Sequence, residues 1–283
     1  DKQTKRVLAL FGKNPAHVTV NVGTEQEYFL ISEKDYERRQ DLIVCGRTLF
    51  GAPPCKGQEL DEHYFGAIRP TVNSFMKELD DELWGFAVAA KTKHNEVAPC
   101  QHELAPVFCN VNRAVDEHLL TMEMMKLLAS HHGLVCLQHE KPFEGINGSG
   151  KHNNWSFGTE DENLLDPGDT PEANLQFIVF LTCVIEAVDN YQDLLRMSVA
   201  SCGNDHRLGA HEAPPAIISI FLGDELSSII DALTSGETAA HTLREQLDFG
   251  VDVLPNLERD TTDRNRTSPF AFTGNKFEFR MPG

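Results

Sequence analysis

The sequence is poor in positive charge. Among its 283 residues, 25 Lys and Arg stand against 43 Asp and Glu, which gives a formal net charge of −18. Nucleic acids and anionic membranes are both bound through positively charged surfaces. We therefore expect neither nucleic acid nor a membrane among the partners, and part of the acidic excess is available for metal binding.

Paired cysteines and long apolar runs are also lacking. The seven cysteines are scattered and form no C-x-x-C pair, so neither a disulfide framework nor a zinc ribbon is indicated. This usage of cysteine favours a reducing, cytoplasmic setting. The most apolar run, residues 177–188, is too short to span a bilayer and contains Glu186.

Hydrophobic periodicity predicts an α+β fold. Apolar residues alternate through residues 17–31, which indicates a strand or hairpin broken at Gly23. Because other segments show the same two-faced alternation, we predict a largely antiparallel sheet with helices packed outside it. Helices are expected from Pro70, over 111–132 and over 172–200, strands over 84–90 and 276–281, and loops over 41–61 and 201–215.

One stretch, residues 139–156, combines a glycine-rich turn with alternating polar side chains. The glycines of Asn147-Gly-Ser-Gly150 are expected to adopt positive φ and to leave backbone N–H groups open to an anion. His152, Asn154 and Ser156 follow with a period of two and share one face if they lie on a strand. The stretch therefore predicts a cleft with an imidazole, an amide and a hydroxyl beside an anion-binding turn.

Glutamates recur in pairs that suit a metal site. Glu25 and Glu27 share one strand face about 7 Å apart, and Glu278 shares a face with Arg280, opposite two phenylalanines. Each pair alone is more typical of a solvated face or a salt bridge than of a metal site. Together with one histidine they match the oxygen-rich ligand sets of Mg²⁺ and Mn²⁺, and two such ions beside arginines form a phosphoryl-transfer site. The candidate ligands are Glu25, Glu27, Glu96, Glu103, His152 and Glu278.

These motifs resemble those of glutamine synthetase, specifically its type III class. The resemblance runs from about Val18 to the last residue and implies an α+β catalytic domain in which a curved antiparallel sheet forms the active-site funnel. It also implies ATP-dependent ligation of glutamate and ammonia through a γ-glutamyl phosphate intermediate. The similar motifs are residues 23–30, 46–54, 56–66, 94–99, 139–143, 147–155, 204–208, 212–218, 263–270 and 276–281.

The resemblance also implies a role for each motif residue. Glu27, Glu96 and Glu103 would hold the ion on the substrate side, and Glu25, His152 and Glu278 the ion on the nucleotide phosphates. Glu212 would close the site on a flap and take a proton from ammonium, with Arg207 as the second catalytic residue. The implied substrate-binding residues are Asn147, Gly148, His152, Arg207 and Arg280, and the implied nucleotide-binding residues are Asn154, Ser156, Arg266 and Lys276.

Type III enzymes are longer than this chain. We therefore expect residues 1–283 to be a partial catalytic domain that lacks the N-terminal β-grasp domain and the C-terminal region. The resemblance implies a homo-oligomer of hexameric rings, a dodecamer, with sites shared between subunits. Two alternatives stay open: a related glutamate–amine or polyamine ligase, and a non-enzymatic homologue, which would be expected to lack some of the ligands.

Overall fold

The computed structural model of the chain describes residues 1–210, 214–236, 246–247, 257–258 and 268–283. Within these ranges the α-helices are α1 Lys2–Leu10, α2 Glu33–Tyr36, α3 Gln40–Cys45, α4 Pro70–Gly85, α5 Val111–Ala129, α6 Leu175–Asn190, α7 Gln192–Val199, α8 Cys202–Arg207 and α9 Asp224–Ser235. Short 3₁₀-helices span Glu59–Asp61, Ser130–His132 and Pro171–Ala173. The strands are β1 Thr19–Thr24, β2 Gln26–Ser32, β3 Ala90–Asn95, β4 Gln101–Pro106, β5 Cys109–Asn110, β6 Leu134–Leu137, β7 Asn153–Gly158, β8 Ile220–Phe221, β9 Gln246–Leu247, β10 Leu257–Glu258, β11 Phe270–Phe272 and β12 Phe277–Phe279.

The strands form two main sheets. The six-stranded sheet has the order β5-β1-β7-β12-β11-β8, and the four-stranded sheet has the order β3-β4-β2-β6. All neighbours in these two sheets are antiparallel except β8 and β11. The predicted largely antiparallel arrangement is confirmed, but the strands are divided between two sheets rather than joined in one.

The two sheets meet where β1 runs on into β2. Of the predicted strand or hairpin, the hairpin is wrong, since β1 pairs with β7 whereas β2 pairs with β4 and β6. The break lies at Glu25 and not at Gly23, which continues the ladder opposite Asn154. The Glu25 N–H donates to the carbonyl of His152 (2.9 Å), and the Glu27 N–H to the carbonyl of Gly150 (3.1 Å). The segment before β7 therefore joins the sheets at their junction.

Helices pack against the apolar faces of the two sheets. The helix predicted from Pro70 is confirmed, and its apolar stripe packs against Tyr28 and Leu30 of β2. On the other sheet, Phe277 and Phe279 are buried beside α6 and α9, and each such side chain contributes roughly 1.5–3 kcal/mol. The intervening Glu278 is left on the opposite face of β12, as the alternation predicted.

Three local predictions were wrong. The strand predicted over 84–90 is the end of α4 followed by a turn in which Ala87 has a φ of 61°. The loop predicted over 41–61 contains most of α3, whose end is marked by Gly46 at a φ of 69°. The region predicted to be irregular over 201–215 contains α8, and the Ser201 side chain caps its first turn by accepting from the Asn204 N–H. Short polar helices of this kind carry little hydrophobic periodicity.

The helix predicted over 111–132 is present as α5 and a following 3₁₀ turn. Val115, Leu119 and Leu127 are exposed, whereas Thr121 and Met125 are buried. The region over 172–200 forms the helix pair α6 and α7. None of the described helices combines the length and the apolar character needed to cross a membrane. All seven cysteines carry free thiols.

Candidate active site

A cavity of about 310 Å³ opens at the junction of the two sheets. It brings together side chains from segments that are far apart in the sequence. Tyr64 and His94, which sequence analysis missed, also line it. The sequence-predicted residues that line it are Glu25, Glu27, Glu96, Glu103, Asn147, Gly148, His152, Arg207, Glu278 and Arg280.

The first acidic group, the β3–β4 cluster, consists of His94, Glu96 and Glu103. Glu103 is the direct cross-strand partner of His94 on one side and of Glu27 on the other. The side chains of His94, Glu103 and Glu27 therefore share one face of the sheet. The cluster's ligand atoms lie within 4.8 Å of one another. The resemblance grouped Glu27, rather than His94, with these two glutamates. Glu27 lines the same cavity, but its Oε2 accepts from the Gly150 N–H (2.9 Å).

The second group, the β7–β12 cluster, consists of Glu25, His152 and Glu278. His152 Nδ1 lies 3.2 Å from Glu25 Oε2 and 3.2 Å from Glu278 Oε1. Ligand atoms of an octahedral ion with bonds near 2.1 Å are about 3 Å apart, so this spacing fits a shared cation. Asn154 Nδ2 donates to Glu25 Oε1 (2.6 Å), and Arg280 donates to Glu278 Oε2 (2.9 Å). These donors occupy the outer oxygens and orient the inner ones towards His152.

Burial and hydrogen bonds shift the pKa values of the carboxylates and the imidazole in the cavity. Burial raises the pKa of Glu27 to about 7 and also raises the pKa of Glu25. Burial opposes the charging of His152, but hydrogen bonds with Glu25 and Glu278 outweigh it and raise the pKa of His152 to about 10. Burial likewise raises the pKa of Glu278, but hydrogen bonds with His152 and Arg280 bring it down to about 2. Buried acidic groups of this density favour a multivalent cation.

The glycine-rich turn does not form the predicted anion site. Neither Gly148 nor Gly150 has a positive φ, and the N–H groups of Asn147, Ser149 and Gly150 are already used within the protein. The Ser149 N–H donates to the carbonyl of Glu140 (2.8 Å), and the Gly150 N–H to Glu27. Glycine is required for a different reason: a Cβ on Gly148 would lie 2.5 Å from the Glu140 carbonyl oxygen, and one on Gly150 would lie 2.7 Å from His152 Nε2.

A second cavity, of about 610 Å³, adjoins the first through Glu25. Of the predicted nucleotide-binding residues, Asn154, Ser156 and Lys276 line it. They come from β7 and from the turn between β11 and β12. Arg266, the fourth predicted nucleotide contact, and Glu212, the predicted flap base, lie outside the described residues.

Arg207 is buried between the cavity and the end of the chain. Its Nη2 lies within hydrogen-bond distance of the carbonyls of Arg280 (3.2 Å), Met281 (2.6 Å) and Pro282 (3.0 Å), and its Nε donates to Asn204 Oδ1 (2.9 Å). The predicted catalytic arginine thus anchors the residues that follow β12, while it also lines the cavity. It positions Arg280 through the backbone.

The residues present fit divalent metal ions. Each cluster offers carboxylate oxygens and one imidazole nitrogen, a donor set suited to Mg²⁺ and, because of the imidazole, to Mn²⁺. The fold and the cavity define a class of protein: an α+β domain with two acidic clusters suited to divalent cations at the junction of two sheets. Residues 2–219 match the family described as "Glutamine synthetase, catalytic domain". The chain belongs to the glutamine synthetase family.

Similar proteins agree with this assignment. The chain is 59% identical over 275 residues to a glutamine synthetase of Butyrivibrio fibrisolvens, covering 96% of this chain and 39% of that protein. It is 52% identical to the type-3 glutamine synthetase of Dictyostelium discoideum, covering 97% of this chain and 38% of that protein. The sequence resemblance to the type III class is thereby confirmed. The chain spans about two fifths of the length of these relatives.

The fold is also similar to that of a solved structure. A cryo-EM structure of Plasmodium falciparum glutamine synthetase superposes with a TM-score of 0.60 at 17% identity, over 99% of this chain and 50% of that one. At this level of identity the likeness concerns the fold. It agrees with the predicted catalytic-domain architecture of helices packed outside antiparallel strands.

Metal binding is expected to stabilise the folded chain, because the clusters exist only when remote segments are assembled. Mn²⁺ at about 100 times its Kd should add about 2.7 kcal/mol of stability, a rise in Tm of roughly 5–10 °C. Thermal unfolding followed by circular dichroism, with and without MnCl₂ and then with excess chelator, measures this shift. An equal shift in a Glu25→Gln, Glu278→Gln double variant would mean that the ion binds elsewhere.

Proposed function

We propose that the chain is the catalytic portion of an enzyme that makes glutamine from glutamate, ammonia and ATP. The γ-carboxylate of glutamate attacks the γ-phosphorus of ATP and releases ADP, and ammonia then attacks the γ-glutamyl phosphate and releases inorganic phosphate. The observation that carries the proposal is the convergence of the β3–β4 and β7–β12 clusters in one cavity that adjoins a second one. Membership of the glutamine synthetase family supports it independently.

Each of the two clusters is assigned to a different metal ion. We assign Glu25, His152 and Glu278 to the ion beside the nucleotide phosphates, since Glu25 also lines the second cavity. Glu96 and Glu103, with Glu27 beside them, hold the ion on the substrate side. Bound Mg²⁺ or Mn²⁺ would neutralise negative charge on the phosphates and carboxylates.

The other polar residues bind and orient the reactants. Arg280, fixed by Glu278, presents its guanidinium to the cavity, where it can bind a carboxylate or a phosphoryl group. Asn147 and Gly148 line the same cavity and are assigned to glutamate, together with Arg207. Asn154, Ser156 and Lys276, in the second cavity, are assigned to the nucleotide, as is Arg266. Glu212 is assigned to ammonium, whose proton it would accept.

We further propose that residues 1–283 act as part of a longer, cytoplasmic protein. The chain spans about two fifths of its relatives, so residues outside it are available to complete the site. The resemblance favours a homo-oligomer of hexameric rings with sites at subunit interfaces. On this proposal the 283-residue chain alone has little activity, and a normal rate from the isolated chain would contradict it.

The test uses the full-length protein. Purified enzyme with Mg²⁺ or Mn²⁺ should form glutamine, ADP and phosphate in equal amounts, and only when glutamate, ammonium and ATP are all present. Ethanolamine and putrescine replace ammonium in parallel reactions. Faster turnover with either amine would identify a related amine ligase, and metal binding without turnover on any acceptor would identify a non-enzymatic homologue.

A further inference from the structure

His94 lies in a row of polar side chains that crosses three neighbouring strands. It stands on β3 directly opposite Glu103 on β4, and Glu103 in turn stands opposite Glu27 on β2. Directly opposed residues share a sheet face, so the imidazole and both carboxylates project to the same side. His94 lines the cavity, and its side chain is one-third exposed, whereas those of Glu96 and Glu103 are 7% and 12% exposed.

The hydrogen bonds of the His94 ring fix its orientation. Nδ1 lies 2.8 Å from the carbonyl oxygen of Asn95, and because a carbonyl only accepts, Nδ1 carries the hydrogen. Nε2 lies 2.6 Å from Glu103 Oε2. Metal-binding histidines commonly donate their second ring N–H to a backbone carbonyl in this way. A carboxylate, like a carbonyl, only accepts, so Nε2 also carries a hydrogen, which it donates to Glu103. A cation that replaces this proton would meet the Nε2 lone pair beside the carboxylates.

Neighbouring groups hold the His94 ring and the backbone of Glu96. The Tyr64 ring packs edge-on against the His94 ring with centroids 5.6 Å apart. His63 Nδ1 donates to the carbonyl of Glu96 (2.6 Å), which fixes the backbone two residues after His94. The ligand atoms of His94, Glu96 and Glu103 lie within 4.8 Å of one another, and these outside contacts hold the His94 ring and the Glu96 backbone.

We infer that His94 is a direct nitrogen ligand of the divalent ion held by Glu96 and Glu103. The inference deepens the proposed function and relies on it for the class of ion. An imidazole in an otherwise oxygen-only site favours Mn²⁺ over Mg²⁺, because Mg²⁺ prefers oxygen donors. His94 thus gives this site a preference for Mn²⁺.

Pulsed electron paramagnetic resonance with Mn²⁺ as the probe tests the assignment. It detects hyperfine coupling between the bound ion and imidazole nitrogen. Because His152 is the assigned nitrogen ligand of the other ion, a His152→Gln variant should keep one imidazole coupling, which comes from His94. Adding His94→Gln should remove that coupling. A His152→Gln protein that binds Mn²⁺ at the remaining site without nitrogen coupling would overturn the inference.

The affinity for Mn²⁺ is a second test, because a metal ligand and a mere ion-pair partner of Glu103 predict different effects of removing His94. If His94 is a ligand, His94→Gln should weaken Mn²⁺ binding by about tenfold or more, since even outer-shell partners are worth 10–100-fold. Mg²⁺ binding should weaken less, so the Mn²⁺/Mg²⁺ affinity ratio falls. If His94 only forms an ion pair with Glu103, its removal takes away a competing cation, and Mn²⁺ affinity stays constant or rises.

His63→Gln is the matched control, since the His63 hydrogen bond to Glu96 is to the backbone carbonyl and not to the carboxylate. Nitrogen coupling should persist in this variant, and its loss there would overturn the assignment to His94. If His94→Gln unfolds, His94→Asn repeats the test. None of these readouts needs turnover. Enzyme that makes glutamine without the His94 coupling refutes only the ligand assignment, and coupling without glutamine refutes only the proposed function.

Discussion

Replacing Glu278 by Gln in the full-length protein should lower the rate of glutamine synthesis by about 10²–10³-fold, the usual effect of removing one electrostatic stabiliser of a transition state. The Glu278 carboxylate contacts both His152 Nδ1 (3.2 Å) and the Arg280 guanidinium (2.9 Å), which keep its pKa at about 2. The amide keeps the volume but loses the charge. It therefore weakens the cation site and releases Arg280 from its ion pair in a single change.

The fold should tolerate Glu278→Gln, because β12 is held by the burial of Phe277 and Phe279 on its other face. Steady-state glutamine formation, the KM for ATP and the thermal unfolding curve are measured together. Glu123→Gln, an exposed position on α5, is the matched control and should match wild type in all three. A Glu278 variant that keeps more than about a tenth of wild-type activity would contradict a direct electrostatic role of that size.

Strand alternation explains why the position of Glu278 could be predicted. In residues 277–280 the two phenylalanines belong in a core, so the glutamate and the arginine must share the other face. The buried pattern of β12 and the lining of the cavity agree with that prediction. The same rule applied from Glu96 would have pointed to His94, which lies two residues earlier on the same face. The alternation thus carries the signal for His94, whereas the resemblance assigns Glu27 to this ion.

Alternation says nothing about which strands pair. Residues 17–31 show one continuous pattern, yet β1 and β2 belong to different sheets. Their separation at Glu25 depends on the hydrogen bonds that the backbone of Gly150 and His152 provides from far along the chain. Tyr64 carries no periodic signal, because it lies in a connection, and it lines the cavity beside His94.

The glycine-rich turn shows a second limit of prediction from the local sequence. Its composition fits an anion nest, but a nest needs unoccupied N–H groups. Whether those groups are occupied depends on Glu27 and on the Glu140 carbonyl, which the local sequence does not reveal. The glycines at 148 and 150 are explained by close approach to Glu140, Arg207 and His152 rather than by φ.

Replacing Arg207 by Met should destabilise the protein by about 3 kcal/mol or more, a fall in Tm of roughly 6–12 °C. The Arg207 side chain is 2% exposed, and its guanidinium donates to backbone carbonyls of the residues that follow β12. Methionine fills similar space but cannot donate, so these carbonyls are left buried without that donor. Lysine keeps the charge but not the planar fork, so Arg207→Lys should recover only part of the loss.

Urea unfolding at equilibrium separates this structural role from the proposed substrate contact, since it involves no substrate. Arg38→Met removes an exposed arginine and should change the free energy of unfolding by less than about 0.5 kcal/mol. If the free energy of unfolding of Arg207→Met lies within about 1 kcal/mol of wild type, the hydrogen bonds to Arg280, Met281 and Pro282 do not hold the segment after β12. A large loss of activity in that stable variant would then assign Arg207 to the substrate alone. A large loss of stability in both Arg207 variants would mean that the arginine is required for the folded structure of the cavity wall, and not for substrate binding alone.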